Sequence, residues 1–283
     1  MVDDAIMNVL MVVDDVNGQG HVSRSTALRE AMPPGWHVCA TTIPRVPTLS
    51  VASYVHAPPD LIIVDDYRVD AALVAHWGDR CPVVVFDDGQ FSLWVRMSSP
   101  NDGDWPRFDG VGARLRVQAH GGDGAITESR EHCILRGHEY CPIRACVREA
   151  PRIDGMAVML GGTIGADLVG ERSWPSRPDL LVCAGGQTAL EAAHIGVPSV
   201  IVTVAGNQNA NARGLQDAGL ARWFGTWEQA TKNPGALAEC VREMLADEKW
   251  RQHVADAGPK WIDGKGGRRI VEYIQRMLVT EGG

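Results

Sequence analysis

Residues Asp179 to Asn211 read DLLVCAGGQTALEAAHIGVPSVIVTVAGNQNAN. An apolar run, Leu180–Ala184, breaks into Gly185-Gly186. A helical pattern follows from Thr188 to Ile195 and stops at Gly196. After Pro198 comes a second apolar run, Ser199–Val204, and then the polar cluster Asn207-Gln208-Asn209. The pattern predicts strand, turn, helix, turn and strand. The glycine pair delivers the chain into a helix amino end, where backbone N–H groups and the helix dipole favour an anion such as a phosphate. The same pair also fits a turn that only tightens a βα junction and binds nothing. Spacing alone leaves both readings open.

The rest of the chain suits such a unit. Its 283 residues allow one large α/β domain or two ordinary ones. An apolar content of 45% supports a packed core. A net charge of −8 argues against an extended nucleic-acid surface. No apolar run approaches the roughly 20 residues of a membrane span. Asp3 and Asp4 stand where a secretory signal would carry positive charge, so a cytoplasmic protein is expected. The seven cysteines are scattered and read as reduced thiols. The group His132, Cys133, His138, Cys141 and Cys146 lacks paired metal-ligand spacing, so no metal is expected.

Alternating strands and helices occupy the first part of the chain. Asn8–Asp14 reads as a buried strand and Val22–Met32 as a helix, with His21 at the tip of the glycine loop between them. Strands are expected at Trp36–Thr42, Leu61–Val64 and Val83–Phe86, with a helix at Ala71–Trp77. Such alternation predicts a parallel sheet covered by helices. Three strands end in Asp-Asp, at 14/15, 65/66 and 87/88. Those carboxylates would gather at the sheet edge where ligands bind, near His21. An imidazole there can move a proton near neutral pH. It can equally be a capping or surface histidine, just as Asp after a strand is an ordinary turn residue.

Gln90 to Ser129 is expected to be irregular with one strand, Arg114–Gln118, and His132–Val147 to hold a turn and a short helix. Arg148–Asp154 reads as a linker. Met156–Leu160 is a strand ending in a second glycine turn, Gly161-Gly162-Thr163. Only about 17 residues precede the next strand, a short crossover. Leu220–Phe224 reads as a short strand, and helices are predicted at Pro234–Asp247 and Arg268–Leu278. Gly258-Pro259 and Gly264–Gly267 punctuate the chain between those helices.

The motifs together resemble the pseudaminic-acid pathway hydrolases, which release UDP from an amino-deoxy sugar and are related to the MurG-type glycosyltransferases. The carrying residues are GQGH with Arg24, VDDY (Val64–Tyr67), FDDG (Phe86–Gly89), LRGHEYCPIR (Leu135–Arg144), LGGT (Leu160–Thr163), CAGGQTALEAAHIGVPSVIV with AGNQNANA, and IDGKGGRRIV. The resemblance implies a GT-B arrangement: two Rossmann-like halves, residues 1–147 and 148–283, facing a cleft, with the last helix packing back on the first half. It implies His21 as general base. Asp14, Asp66 or Asp88 would orient the imidazole or the sugar. Gly20, Arg24, Tyr67, Gly162 and Thr163 fall on the substrate side. Gly185, Gly186 and Thr188 would hold the diphosphate, Glu191 the ribose, and Asn207 and Gln208 the sugar. It implies a nucleotide-sugar substrate and no cofactor. The second half is shorter than the family's, as if about two βα units were missing. Two alternatives stand beside the hydrolase: a glycosyltransferase of the same architecture, and a non-catalytic nucleotide-sugar-binding descendant.

Overall fold

A computed structural model describes residues 6–14, 19–42, 58–66, 69, 74, 77–86, 113–118, 125–128, 133–160 and 177–281. The first half contains strands β1 (Met7–Val13), β2 (Trp36–Thr41), β3 (Leu61–Asp65), β4 (Val83–Phe86), β5 (Ala113–Gln118), β6 (Ala125–Glu128) and β7 (Cys133–Arg136), with helix α1 (Gln19–Glu30) after β1. They form one sheet in the order β2-β1-β3-β4-β5-β7-β6. Every neighbouring pair is parallel except β6 with β7.

The unbroken apolar runs of β1, β3 and β4 are explained by burial on both faces. Val9, Met11, Leu61, Ile63, Val84 and Phe86 join one core with Leu28 of α1. Leu10, Val12, Ile62, Val64, Val83 and Val85 join the other with Val74 and Trp77. Since side chains alternate along a strand, Asp65 falls on the α1 face with Leu61 and Ile63.

The second half is a four-stranded parallel sheet, β11-β10-β9-β8, built from β8 (Met156–Met159), β9 (Leu180–Cys183), β10 (Ser199–Thr203) and β11 (Ala221–Thr226). Its helices are α2 (Gln187–His194), α3 (Asn209–Asp217), α4 (Trp227–Lys232), α5 (Pro234–Ala246), α6 (Glu248–Trp261) and α7 (Gly266–Glu281). β8 pairs directly with β9, so the short crossover read from the sequence corresponds to a small sheet among the described residues. Burial in β9 pushes the Cys183 thiol up to about 12, which keeps it an inert core group.

Several expectations need correction. Two strands, β6 and β7, lie where irregular chain or a turn and helix were expected, and only short 3-10 turns at His138–Tyr140 and Ala145–Glu149 follow them. Helix α3 occupies the polar stretch after Gln208. Gly258-Pro259 does not stop the chain but lies inside α6. Gly258 is required there by contact: a Cβ on it would stand 2.3 Å from the Ala193 carbonyl oxygen of α2. Pro259 supplies no N–H to the Ala255 carbonyl one turn back, and that carbonyl lies against Gly196.

Helix α7 returns to the first half. A Cβ on Gly266 would sit 2.3 Å from the Cys141 carbonyl, and one on Gly267 3.2 Å from Ala31 Cβ. Arg269 donates to the Glu139 carbonyl at 3.0 Å and pairs with Asp263. Ile270 and Ile274 enter the same apolar cluster as Met11, Tyr140 and Leu181, so one core runs through both halves. No helix among the described residues is long and apolar enough to cross a membrane.

Candidate active site

His21 is the third residue of α1, not the tip of a loop. Arg24 follows one turn later and Ser25 one residue beyond, so all three lie on one helix face. That face meets Asp65, the last residue of β3. His21 Nδ1 is 2.6 Å from Asp65 Oδ1. Arg24 grips the same carboxylate at both oxygens, Nε on Oδ2 at 2.9 Å and Nη2 on Oδ1. Ser25 Oγ donates to Oδ2 at 3.3 Å. The Arg24 guanidinium also lies over the Phe86 ring, 4.8 Å from its centre.

Burial alone would push the Asp65 carboxyl up, but Arg24 and His21, by charge and by hydrogen bond, outweigh it and hold it well below the usual carboxylate range. An ionised Asp65 only accepts, so the 2.6 Å contact places a proton on His21 Nδ1.

The carboxylate on His21 is therefore Asp65, a residue the sequence reading passed over for its neighbour Asp66. Strand alternation was the available signal: Asp65 shares the parity of Leu61 and Ile63. Asp14 and Asp66 are buried at the same sheet edge, with exposures of 0% and 1%. Arg24, expected on the substrate side, is 7% exposed and directed at Asp65 and Phe86. Asp88, Tyr67, Gly162 and Thr163 lie outside the described residues.

In the second half, β9 ends in Ala184 and the chain turns through Gly185 and Gly186 into α2, with Gly186 as its N-cap. Glycine suits the tight space at position 185. A Cβ there would stand 3.0 Å from the Gln208 carbonyl oxygen and 3.2 Å from Ile201. Gln208 Oε1 accepts from Gly185 N–H at 3.2 Å and Val204 N–H at 2.9 Å, and Asn211 donates to the Gly185 carbonyl at 2.9 Å. Gln208, a residue expected at the sugar, thus also clamps the turn. Asn207 is the partly buried residue before it, and Thr188 is partly exposed in the first turn of α2.

Glu191, the residue expected at the ribose, lies on α2. It is 1% exposed, and both its oxygens are engaged by Arg144, at 2.8 and 2.9 Å. The bond to Glu191, opposed by partial burial, raises the affinity of Arg144 for its proton. One turn earlier Gln187 donates to the Pro142 carbonyl at 2.6 Å. On the other side of the same segment, Glu30 at the end of α1 accepts from Ala145 N–H at 2.7 Å. The segment 142–145 is therefore stitched to both α1 and α2. Arg144 and Gln187 were missed in the sequence because their partners are more than 40 residues away.

The stitching brings the two helix amino ends together. A Cβ on Gly20, beside His21, would lie 4.0 Å from Gln187 Cβ. Gly20, beside His21, thus lies against the first residue of α2, next to the Gly185–Thr188 turn. Within the His132–Cys146 group, His138 stacks on Trp261 at 4.0 Å and Cys141 contacts the Gly137 carbonyl, which are packing roles. Among the described residues no three His, Cys, Asp or Glu side chains gather as metal ligands.

Comparison with solved structures places this arrangement. The spinosyn rhamnosyltransferase SpnG superposes with a TM-score of 0.57 at 15% identity, over 95% of this chain and 100% of that one. Acinetobacter baumannii MurG gives 0.55 at 14%, over 95% and 99%. The kitacinnamycin glycosyltransferase gives 0.53 at 16%, over 97% and 100%. The fold is GT-B-like. SpnG has also been solved with thymidine diphosphate. At these identities the likeness to GT-B enzymes concerns fold alone. No family model matches the sequence. No curated protein sequence matches it either.

Proposed function

We propose that the chain cleaves a nucleoside-diphosphate sugar at its anomeric carbon. His21 is the general base and the Gly185–Thr188 turn holds the departing diphosphate. The observation that carries this reading is the meeting of Gly20 and Gln187, which puts the helix of an Asp65-oriented imidazole beside an uncapped helix amino end. The chemistry needs those two parts. Nε2 of His21 takes the proton of the attacking hydroxyl. The first-turn amides of α2 stabilise charge building on the diphosphate, with Thr188 beside them. Asp65 fixes the ring and its tautomer. Glu191 and Gln208 act by holding the turn in place, through Arg144 and the backbone of Gly185. Asp14 and Asp66, together with Tyr67 and Asp88, supply hydroxyl acceptors on the sugar side. Gly162 and Thr163 close the diphosphate side.

On the motif resemblance the nucleophile is water, the nucleotide UDP and the sugar an amino-deoxy sugar, which makes the chain a hydrolase of glycan biosynthesis. A second reading, a glycosyltransferase, is favoured by the superposed structures, which are the kitacinnamycin glycosyltransferase, the rhamnosyltransferase SpnG and MurG. Incubation of the pure protein with UDP-sugars and no acceptor separates the two. Catalytic release of UDP and free sugar supports the hydrolase. Turnover that begins only when an acceptor hydroxyl is supplied assigns the transferase. UDP binding with no turnover under either condition removes the catalytic proposal.

A further inference from the structure

We propose that Arg24 sets the charge of the candidate base: by neutralising Asp65 it holds His21 as a neutral imidazole, with its proton on Nδ1 and its lone pair on Nε2. The functional meaning rests on the reading of His21 as base; the charge state itself is a property of the free protein. An uncompensated carboxylate 2.6 Å from a buried imidazole draws a second proton onto the ring and makes an ion pair. An imidazolium has no lone pair and cannot act as a base.

Arg24 prevents this in two ways. It occupies both oxygens of Asp65 in the side-on manner that suits a guanidinium. Its Nη2 also stands 3.4 Å from His21 Nδ1. Both nitrogens are donors when Nδ1 is protonated, so this contact is not a hydrogen bond. It is a cation set against a ring that would otherwise gain charge, and Asp65 Oδ1 reconciles the pair by accepting from both. A guanidinium does not lose its proton in the working pH range, so the compensation is constant. The Phe86 face fixes its position. Of the described residues, the charged groups that touch the ring are Asp65 from β3 and Arg24 from α1. The carboxylate favours the imidazolium and Arg24 opposes it. Ser25 and, from the second half, Gln187 add no charge.

The test is a long-range 1H–15N NMR titration of the histidine side chains in the full chain, with His21→Gln used to assign the signal. Wild type is expected to show the Nδ1–H neutral signature at pH 7. Arg24→Gln is expected to move the His21 midpoint up by about one pH unit or more, a tenfold gain in proton affinity. Arg24→Lys, which keeps the charge, stays nearer wild type than Arg24→Gln. A doubly protonated ring in wild type at pH 7 overturns the proposal. So does a folded Arg24→Gln protein with an unmoved or lowered midpoint. If that variant does not fold, the wild-type tautomer and charge still decide. A neutral Nδ1–H ring in a protein that cleaves no UDP-sugar sinks the functional reading and leaves the role of Arg24 intact. Cleavage by a protein whose ring is an imidazolium overturns both the role of Arg24 and the reading of His21 as base, and leaves only the cleavage itself.

Discussion

Asp65 has four donor atoms, from three residues, on its two oxygens and is 1% exposed. Its ionised form is tolerable only because Arg24 is there, and the buried Arg24 is tolerable only because of Asp65. Asp65→Asn removes the charge, strands the guanidinium and is expected to cost about 3–5 kcal/mol in urea unfolding. Acid should reveal the same pair. The folded protein holds Asp65 below its ordinary range, so between the two values the unfolded chain binds the extra proton. The stabilisation is complete above the unfolded value of about 4 and is lost as pH falls below it. Wild type should therefore lose melting temperature between about pH 5 and pH 3 more steeply than Asp65→Asn. Parallel slopes for the two proteins would remove Asp65 as the source.

At the scale of elements, close helix contacts make specific demands on glycine. Gly258→Ala improves helix propensity by up to about 1 kcal/mol, yet its Cβ meets the Ala193 carbonyl at 2.3 Å. Overpacking of this kind costs about 1–3 kcal/mol, so a net loss of stability is expected. Gly235→Ala in α5 is the control. It meets nothing within 4 Å and should be neutral or stabilising. Denaturant midpoints of the two variants check the contrast. Contact also explains which elements were legible from sequence. β1, β3, β4, β9 and β10 are apolar runs buried on both sides, and their period and length show through. β6 and β7 do not, because a short antiparallel edge pair such as AITE and CILR carries almost no pattern of its own. Helix α6 was hidden by Gly258-Pro259. That pair signals a stop unless one knows that α2 lies against the glycine.

For the whole molecule, the two halves are joined by more than the chain between them. Arg144–Glu191, Gln187–Pro142, Glu30–Ala145 and Arg269–Glu139 stitch α1, α2 and α7 to one central segment. Arg144→Met and Glu191→Gln should each destabilise the chain. In a double-mutant cycle they should couple by about 0.5–3 kcal/mol, since each single change leaves a partly buried group without its partner. Additive losses in urea unfolding would mean the pair does not join the halves. None of these long-range pairs could be read along the sequence. The local motifs were legible in type: a glycine turn opening a helix, and a histidine at a strand's carboxyl end. Their exact partners were not, because Asp65 and Asp66 differ only in strand parity, and Glu191 and Gln208 only in what the fold brings to them.

The central claim is that His21 and the Gly185–Thr188 turn serve one ligand from opposite sides of the cleft. A crystal structure with UDP bound tests it most directly. The cleft arrangement predicts the diphosphate on the first-turn amides of α2, beside Gly186 and Thr188, with His21 Nε2 facing the position of the β-phosphate's missing sugar. UDP bound elsewhere, or bound at the turn with His21 directed away from the cleft, would contradict it.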